Sequence, residues 1–465
     1  MKLYDTIAAV STPRGKGGVA LIRISGSDAV AVAQRMFVPA SKKPFSEIPA
    51  GKMVYGDIRM PEDPDAARLD DGMAVFFRAP HSYTGEDTVE ITCHGGILIT
   101  EAVLSAVLIA GARPAEAGEF TRRAFVNGKL ALSEAEALGS LLEAKTEAQM
   151  RLSRSGMDGR LSSRIDALSG KLRHVLASVY ARIDYPDEDL ADLSDEEMHA
   201  LLAQIRADAA RLSETYRTGR AAMEGIDTVI CGPANAGKSS LYNALVGREA
   251  AIVTDIAGTT RDMLSETVAL GNVTLRLTDT AGLRETSDRV EQIGIDRARR
   301  AMDRAELILA VVDASREPDA ESEALLADLR DRSAECVILL NKSDAGKVAS
   351  WDGLTAGFSH VLAISLLSNP EESVLLLRET AEAMFTDGSI DLSRDAVVAN
   401  ARQYASLVSA IAALDRAMEA IACGMAADLY CMDAEGALAA FGELDGKEVG
   451  EAIVSEIFSK FCVGK

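Results

Sequence analysis

Paired cysteines are missing from this 465-residue chain. Its six cysteines, Cys93, Cys231, Cys336, Cys423, Cys431 and Cys462, form no CxxC pair and no zinc-ligand spacing. That excludes a zinc module and a disulfide framework, and suits a reducing compartment. Cys231 and Cys336 lie in apolar runs and read as buried thiols. Long hydrophobic runs are missing too. None approaches the roughly 20 residues that span a bilayer, so membrane insertion is not expected. The first stretch, MKLYDTIAAVSTPRGKGGVALIRISG, is interrupted by Pro13 and several glycines and has no apolar signal-peptide core. A cytoplasmic protein is expected. Positive charge is scarce as well: 49 Lys and Arg face 71 Asp and Glu, a formal net charge of -22. Such a surface repels phosphate backbones. It argues against tight RNA binding by this chain alone and leaves room for a basic partner that brings the RNA.

What is present is an ordinary globular balance, 48% hydrophobic and 26% charged, with enough apolar material for two to four domains. Residues 1–127 mix short strand-like runs (Thr6 to Val10, Val19 to Ile24, Ala74 to Phe77, Thr88 to Thr92) with helical spacing at Asp28 to Phe37 and Ile97 to Ala110. This is an α+β pattern. Over 128–222 proline nearly vanishes and apolar residues recur every three or four positions. Ser133 with Glu136, and Ser194 with Glu197, carry capping-box spacing at helix starts. The acidic stretch from Asp184 to Asp192 reads as a solvated loop between helices. Residues 223–383 alternate buried strand-like runs (TVIC, LRLTD, LILAVVD, CVILLN, VLAIS) with helical segments, the parallel α/β pattern. Residues 384–465 turn helical and alanine-rich again. The simplest architecture is multidomain α/β and α: an α+β N-terminal domain, then a helical domain split by an inserted α/β domain.

The inserted part carries the chemistry. Gly232-Pro-Ala-Asn-Ala-Gly-Lys-Ser239 fits G-x-x-x-x-G-K-[ST] between a strand and a helix, the context a phosphate-binding loop requires. Loop N–H groups and the helix N-terminus cradle phosphates. Lys238 supplies a point charge to the β- and γ-oxygens, and the Ser239 hydroxyl suits Mg²⁺. Asp279-Thr280-Ala281-Gly282 ends the next strand, where the acid serves the metal's outer shell and the Gly282 N–H meets a γ-phosphate. Thr259-Thr260-Arg261-Asp262 falls where a switch threonine belongs. Asn341-Lys342-Ser343-Asp344 ends a later strand. An aspartate there pairs with the N1–H and N2–H₂ edge of guanine and is left unsatisfied by adenine. Together these predict a P-loop GTPase domain of Ras-like α/β fold, with GTP and Mg²⁺.

Two residues depart from a generic GTPase. Leu283 follows DTAG, where a water-orienting glutamine is common, so another group must orient water. Asn235 stands near the phosphates. Its amide either hydrogen-bonds the loop or helps hold a monovalent cation that supplies positive charge to the transition state.

The chain also resembles, nearly end to end, the tRNA wobble-uridine modification GTPases of the MnmE (TrmE) family. The resemblance rests on Asp5-Thr-Ile to Gly26, the S-Y-TGED…HGG segment Ser82 to Gly96, GEF-x-x-RAF from Gly118 to Leu130, the long switch Ala250 to Asp262, Asp279 to Ile295, and the terminal FCVGK from Phe461 to Lys465. It implies a homodimer joined through a folate-binding N-terminal domain. A tetrahydrofolate derivative (5-formyl or 5,10-methylene) would contact Arg23, Glu90, Lys129 and Lys465. It implies K⁺ at Asn235, Thr254, Ile256 and Thr259, and Mg²⁺ at Ser239 and Thr260. Glu291 would orient the attacking water, in place of the missing glutamine, beside Lys238. The nucleotide contacts would comprise Asn235, Ala236, Gly237, Lys238, Ser239 and Ser240; Thr254, Asp255, Ile256, Ala257, Gly258, Thr259 and Thr260; Asp279, Thr280, Ala281 and Gly282; and Asn341, Lys342 and Asp344. It further implies an FAD-containing MnmG (GidA)-like partner, in a heterotetramer or larger assembly. With it, an aminomethyl or carboxymethylaminomethyl group is installed at C5 of the wobble uridine, U34, of certain tRNAs. GTP hydrolysis would drive conformational change.

Ala234 stands where the family commonly has proline, Leu366 where the base loop has alanine, and Gly442 to Lys447 reads GELDGK in place of GEI-[TS]-GE. Cys462, on an apolar helix end, reads as structural. A ribosome-assembly GTPase would need a KH-like domain with a GXXG loop, or a second G domain; neither appears, and residues 1–127 would be unexplained. A non-catalytic guanine-nucleotide switch would suit Leu283 but leaves Glu291 and Asn235 without a role.

Overall fold

The computed structural model describes residues 5–61, 68–184, 193–249, 266–277, 300–332, 334–447 and 449–464. The chain divides into two compact units, Met1–Gly139 with Gly442–Lys465, and Ser140–Phe441.

The first unit is built on strands β1 (Ile7–Val10), β2 (Val19–Ser25), β3 (Phe37–Pro39), β4 (Val54–Ile58), β5 (Asp70–Phe77), β6 (Thr88–His94) and β7 (Arg113–Pro114). Their order is β3-β4-β5-β6-β2-β1-β7, antiparallel except for the β1–β7 pair. Period-two alternation decides the faces. Ile22 and Ile24 of β2, with Ile91 of β6, pack against Val32, Met36, Val103 and Val107 of the helices Ala29–Met36 and Ile97–Ile109. Arg23 and Glu90, register partners, face the other way. The C-terminal segment docks onto this unit. Phe458 of the helix Glu451–Ser459 lies 6.0 Å from Phe125 and 5.6 Å from Phe461, ring to ring. Ala117 bridges Val463, and the Ser11 hydroxyl donates to the Gly464 carbonyl at 3.0 Å.

An ion cluster stitches this unit internally. Arg123, 2% exposed, donates to Asp5, Glu86 and Glu119. Arg113 donates to Asp5 and Glu119. Glu119 is itself 1% exposed, and charges buried this deeply persist only when paired.

The second unit contains β8 (Ile226–Cys231), β9 (Glu266–Leu270), β10 (Val273–Leu277), β11 (Leu307–Asp313), β12 (Glu335–Asn341) and β13 (His360–Ala363). The order is β13-β12-β11-β8-β10-β9, parallel save the β9–β10 hairpin. β11 is buried on both faces, as a continuous apolar run predicts. Leu309 and Val311 enter one core; Ile308, Ala310 and Val312 enter the other.

The helical part includes Glu147–Met157, Arg160–Asp184, Asp195–Glu214, Ala401–Ala422 and Ala427–Asp445. Asp195–Glu214 packs on both Arg160–Asp184 and Ala401–Ala422, so the two helical stretches of the sequence do meet. Ser194 and Glu197 make the expected capping box. Ser133 does not open its helix. That helix starts at Leu132, and Glu134 reaches back to the Ala131 N–H at 3.0 Å. Gly446, at φ +85°, lets the chain leave helix Ala427–Asp445, and the Lys447 N–H closes on the Gly442 carbonyl at 2.9 Å. Gly446 is the glycine that GELDGK shares with the family pattern, so the helix stop stands beside the departures at Leu444, Asp445 and Lys447. Cys231 is buried, its thiol pushed up to about 12 by burial, whereas Cys336 is only half-buried and Cys462 is exposed.

The chain enters and leaves the α/β part at one place. The Val398 N–H donates to the Thr215 hydroxyl at 3.0 Å, and a Cβ on Gly219 would fall 2.0 Å from the Val398 carbonyl oxygen. Only glycine permits this approach of two backbones. Among the described residues no helix is long and apolar enough to cross a membrane.

Candidate functional site

β8 delivers the phosphate loop at the carboxyl edge of the sheet, and the helix Lys238–Glu249 follows it. Gly232, at φ +143°, leaves no room for a side chain: a Cβ would stand 2.0 Å from the Val311 carbonyl oxygen. At Gly237, φ +111°, a Cβ would meet the Asn341 amide nitrogen at 2.2 Å. The two glycines thus let the loop press against β11 and β12. Asn235 takes the left-handed conformation at φ +60°, which asparagine tolerates better than most residues. Its side chain is exposed and makes no hydrogen bond to any described residue. Ala234, in the place of the family's proline, is exposed. Ser239 and Ser240 are exposed in the first turn of the helix. The Lys238 ammonium folds onto the loop, donating to the carbonyls of Gly232 at 2.8 Å and Pro233 at 2.7 Å. Burial holds its pKa below the usual lysine value, opposed by the nearby Glu321 carboxylate.

Asn341, 4% exposed, joins this loop to the base-reading edge. Its amide nitrogen donates to the Ala236 carbonyl at 2.8 Å, and its amide oxygen accepts the Leu366 N–H at 3.1 Å. The Leu366 N–H is thus engaged by Asn341, and the leucine side chain is buried in the core. Lys342, at φ +63°, pairs with Asp313 at 2.6 Å. Asp313 was not singled out in the sequence; its place as the acid closing LILAVVD is the signal that could have found it. Asp344 accepts the Ser365 and Ser368 hydroxyls, each at 2.6 Å. These bonds, Ser365 first, hold its carboxyl below the ordinary range. Ser368 too was missed.

Asn235, Ala236, Gly237, Lys238, Ser239 and Ser240 therefore gather with Asn341, Lys342 and Asp344 at one sheet edge. The expectations at Thr254, Asp255, Ile256, Ala257, Gly258, Thr259 and Thr260, at Asp279, Thr280, Ala281 and Gly282, at Glu291 and at Lys465 lie outside the described residues.

In the first unit, Arg23 and Glu90 pair at 2.8 Å. The guanidinium lies 5.0 Å from the Tyr83 ring centroid and 5.7 Å from that of Phe120, within cation–π range. Burial raises the Tyr83 phenol, whose hydroxyl bonds Thr121 at 2.8 Å. Lys129 is exposed and donates to the Pro80 carbonyl at 3.0 Å.

Two family models match the chain: the N-terminus of the GTP-binding protein TrmE over residues 6–129, and the MnmE helical domain over residues 132–462. The tRNA modification GTPase MnmE of Lactobacillus helveticus (strain DPC 4571) is 38% identical over 464 residues, covering 99% of this chain and 98% of that protein. That of Carboxydothermus hydrogenoformans is 39% identical over 467 residues and covers both chains completely, 100% of each. That of Acetivibrio thermocellus is 37% identical over 461 residues, 99% of each.

Proposed function

The chain belongs to the MnmE family of tRNA modification GTPases, and from that premise we propose that it couples K⁺-stimulated GTP hydrolysis to installing an aminomethyl or carboxymethylaminomethyl group at C5 of the wobble uridine U34. The substrates are GTP and certain tRNAs; the one-carbon unit is carried by a tetrahydrofolate derivative. A partner bearing FAD joins the reaction, and a homodimer holds the folate. The acidic surface, with a net charge of -22, suits a partner that contributes the basic RNA contacts.

The observation that carries the reading is the Asn341 bridge, which fixes the phosphate loop against the loop bearing Asp344. Guanine selection and phosphate binding then form one preorganised unit. Asp344 accepts from the guanine N1–H and N2–H₂ edge on the carboxylate that Ser365 and Ser368 now engage. The Lys238 ammonium exchanges two neutral carbonyls for anionic phosphate oxygens, a stronger class of hydrogen bond. The exposed Ser239 hydroxyl fits Mg²⁺, with Thr260 as its second protein ligand; the exposed Asn235 amide fits K⁺, with Thr254, Ile256 and Thr259. Bound there, the cations supply charge stabilisation to the γ-phosphoryl transition state. Glu291 orients the attacking water. Arg23, Glu90, Lys129 and Lys465 take the folate; the Arg23–Glu90 pair beside Tyr83 offers the polar and aromatic surface that a pteridine ring requires, and the cations suit the carboxylates of the glutamate tail. We assign residues 1–127 to folate and dimerisation, 223–383 to the nucleotide, and 128–222 with 384–465 to the helical domain.

The test is GTP turnover in K⁺ and in Na⁺ at equal ionic strength, with Asn235→Ala and Glu291→Ala alongside. Fast turnover in K⁺ alone, lost in both variants, is expected. Equal turnover in both salts overturns the potassium mechanism. Negligible turnover in either would favour a non-catalytic switch.

A further inference from the structure

Positive charge is scarce in this chain, yet one stretch gathers it. From Lys145 to His174 seven Lys and Arg meet three Asp and Glu, while the whole chain carries a net charge of -22. The helix Arg160–Asp184 turns part of that run to one side. Arg160, Arg164 and Lys171 stand at i, i+4 and i+11, a spacing that puts them on one face. Arg211 joins them from the helix Asp195–Glu214, which packs alongside.

Asp208, 8% exposed, lies among these cations. Its carboxylate accepts from Arg211 and, at 3.3 Å, from Lys171, and Arg164 stands 3.9 Å away. Burial pushes this carboxyl up, but the hydrogen bonds from Arg211 and Lys171 more than offset it, and the net shift is downward. Asp208 therefore stays ionised, one negative charge against three positive ones. Arg160 extends the row; it is exposed, with Asp158 at 3.8 Å.

One cation is enough to keep a buried carboxylate paired. The others add little. Arg211 is 70% and Arg164 55% exposed, and ion pairs in water contribute hardly anything to stability. Their mutual repulsion works against the fold. Other arginines of the helical part find an acid each: Arg182 has Asp195, Arg206 has Asp415 and Arg416 has Asp433. The surplus around Asp208 calls for a reason outside folding.

A polyanion supplies one. Arg160 to Lys171 covers roughly 16 Å of helix. A nucleic-acid strand places a phosphate every few ångströms, so such a row meets several in succession. An acidic protein surface intersperses its carboxylates with other side chains and matches a row of cations less well. The relatives of this chain are tRNA modification GTPases.

We propose that the face formed by Arg160, Arg164, Lys171 and Arg211 docks the phosphodiester backbone of tRNA. Such contacts position the RNA without reading its sequence. Four cations on an acidic chain hold it weakly, and a basic partner adds the rest. The proposal rests on the reading that tRNA is a substrate.

The experiment titrates the full chain into fluorescently labelled tRNA and follows anisotropy from about 50 to about 200 mM KCl. The parent binds at the low end, and the logarithm of its affinity falls linearly with that of the salt concentration. Arg164→Gln combined with Arg211→Gln removes the surplus and leaves Lys171 on Asp208. Binding at low salt weakens at least about tenfold, and the salt slope becomes shallower by about 2. Arg164→Lys combined with Arg211→Lys restores both. Should melting show that the glutamine pair does not fold, Arg211→Gln alone decides, with a slope shallower by about 1. Arg206→Gln, outside the face, binds within about twofold of the parent. GTP turnover without tRNA is unchanged throughout. A parent that does not bind at about 50 mM salt overturns the proposal, as do glutamine variants that bind like the parent, or an Arg206→Gln that loses as much as Arg211→Gln. Polyglutamate that displaces tRNA at equal charge concentration assigns the face to an acidic protein and overturns it too. A parent that modifies U34 with its flavin partner yet shows no such binding keeps the proposed function and loses this docking face; a parent that binds as described but modifies no tRNA does the reverse.

Discussion

Asn341 and Ala236 are joined across 105 positions of sequence by a buried 2.8 Å hydrogen bond, and through it the base-reading loop holds the phosphate loop. Replacing Asn341 by alanine strands the Ala236 carbonyl and the Leu366 N–H together. Each buried group left unsatisfied costs about 1–3 kcal/mol. GDP affinity should fall at least about tenfold, which titration with a fluorescent GDP analogue will measure. A variant that binds as the parent does would mean the two loops are held by packing alone.

Asp344 should decide the base. Asp344→Asn removes the acceptor pair for guanine and offers a donor suited to xanthine. Guanine affinity is expected to drop by about 10²-fold or more, with a gain for xanthosine diphosphate. The Ser365 and Ser368 hydroxyls hold the carboxyl below its ordinary pKa. Ionisation of Asp344 therefore contributes no pH dependence to GDP binding between pH 6 and 8. A base preference unmoved by the substitution would place guanine recognition elsewhere.

The Arg123 cluster predicts an acid-labile first unit. Burial raises the Glu119 carboxyl, but hydrogen bonds from Arg113, the Glu116 N–H and Arg123 more than offset it, and the net shift is downward. Asp5 is lowered by Arg113 first, against burial, with Arg123 adding to it. A carboxylate depressed in the folded state stabilises above its unfolded pKa and ceases to do so as pH falls through the folded value. Stability from these groups is therefore complete at neutral pH and declines below about pH 4. At neutral pH, Arg123→Ala leaves Glu86 without its arginine and Asp5 and Glu119 paired to Arg113 alone, and should cost about 3 kcal/mol. Denaturant melts of parent and variant across pH will check both; a variant as stable as the parent would refute the cluster's role.

Arg23→Met should weaken binding of 5-formyltetrahydrofolate by about tenfold, the scale of a charge-assisted hydrogen bond, while leaving GTP turnover unchanged. Equilibrium dialysis measures the first and phosphate release the second. Unaltered folate binding would remove Arg23 from that site.

Local pattern was legible where one element suffices. The alternation in β2 put Ile22 and Ile24 inside and left Arg23 facing away, and Ser194 with Glu197 made its capping box. Helix starts were less secure: Ser133 carries the right spacing, yet the helix begins at Leu132, two residues before a Ser133 cap would start it, because Glu134 can reach the Ala131 N–H. What escaped the sequence were encounters between distant segments. The pairing of Glu119 with Arg123 is one helical turn apart and readable; the arrival of Asp5 against both arginines is not. The apolar run around Cys336 does not reveal that its strand begins near the surface, leaving the thiol half-buried. Leu366 shows its bulk in the sequence, but that its N–H is bound by Asn341 depends on the two loops meeting in space.

The meeting of Thr215 with Val398, and of Gly219 with the same backbone, has a modular consequence. A segment whose two ends already touch closes a loop on itself, so little chain entropy separates its presence from its absence. The chain thus enters and leaves the α/β stretch from β8 to β13 at a single seam. A short splice from Thr215 to Val398 would leave the helical layers with both their cut ends in native register. A grafted nucleotide-binding cassette would enter and leave at the same seam, and would have to supply apolar cover for Ala148 and Leu152.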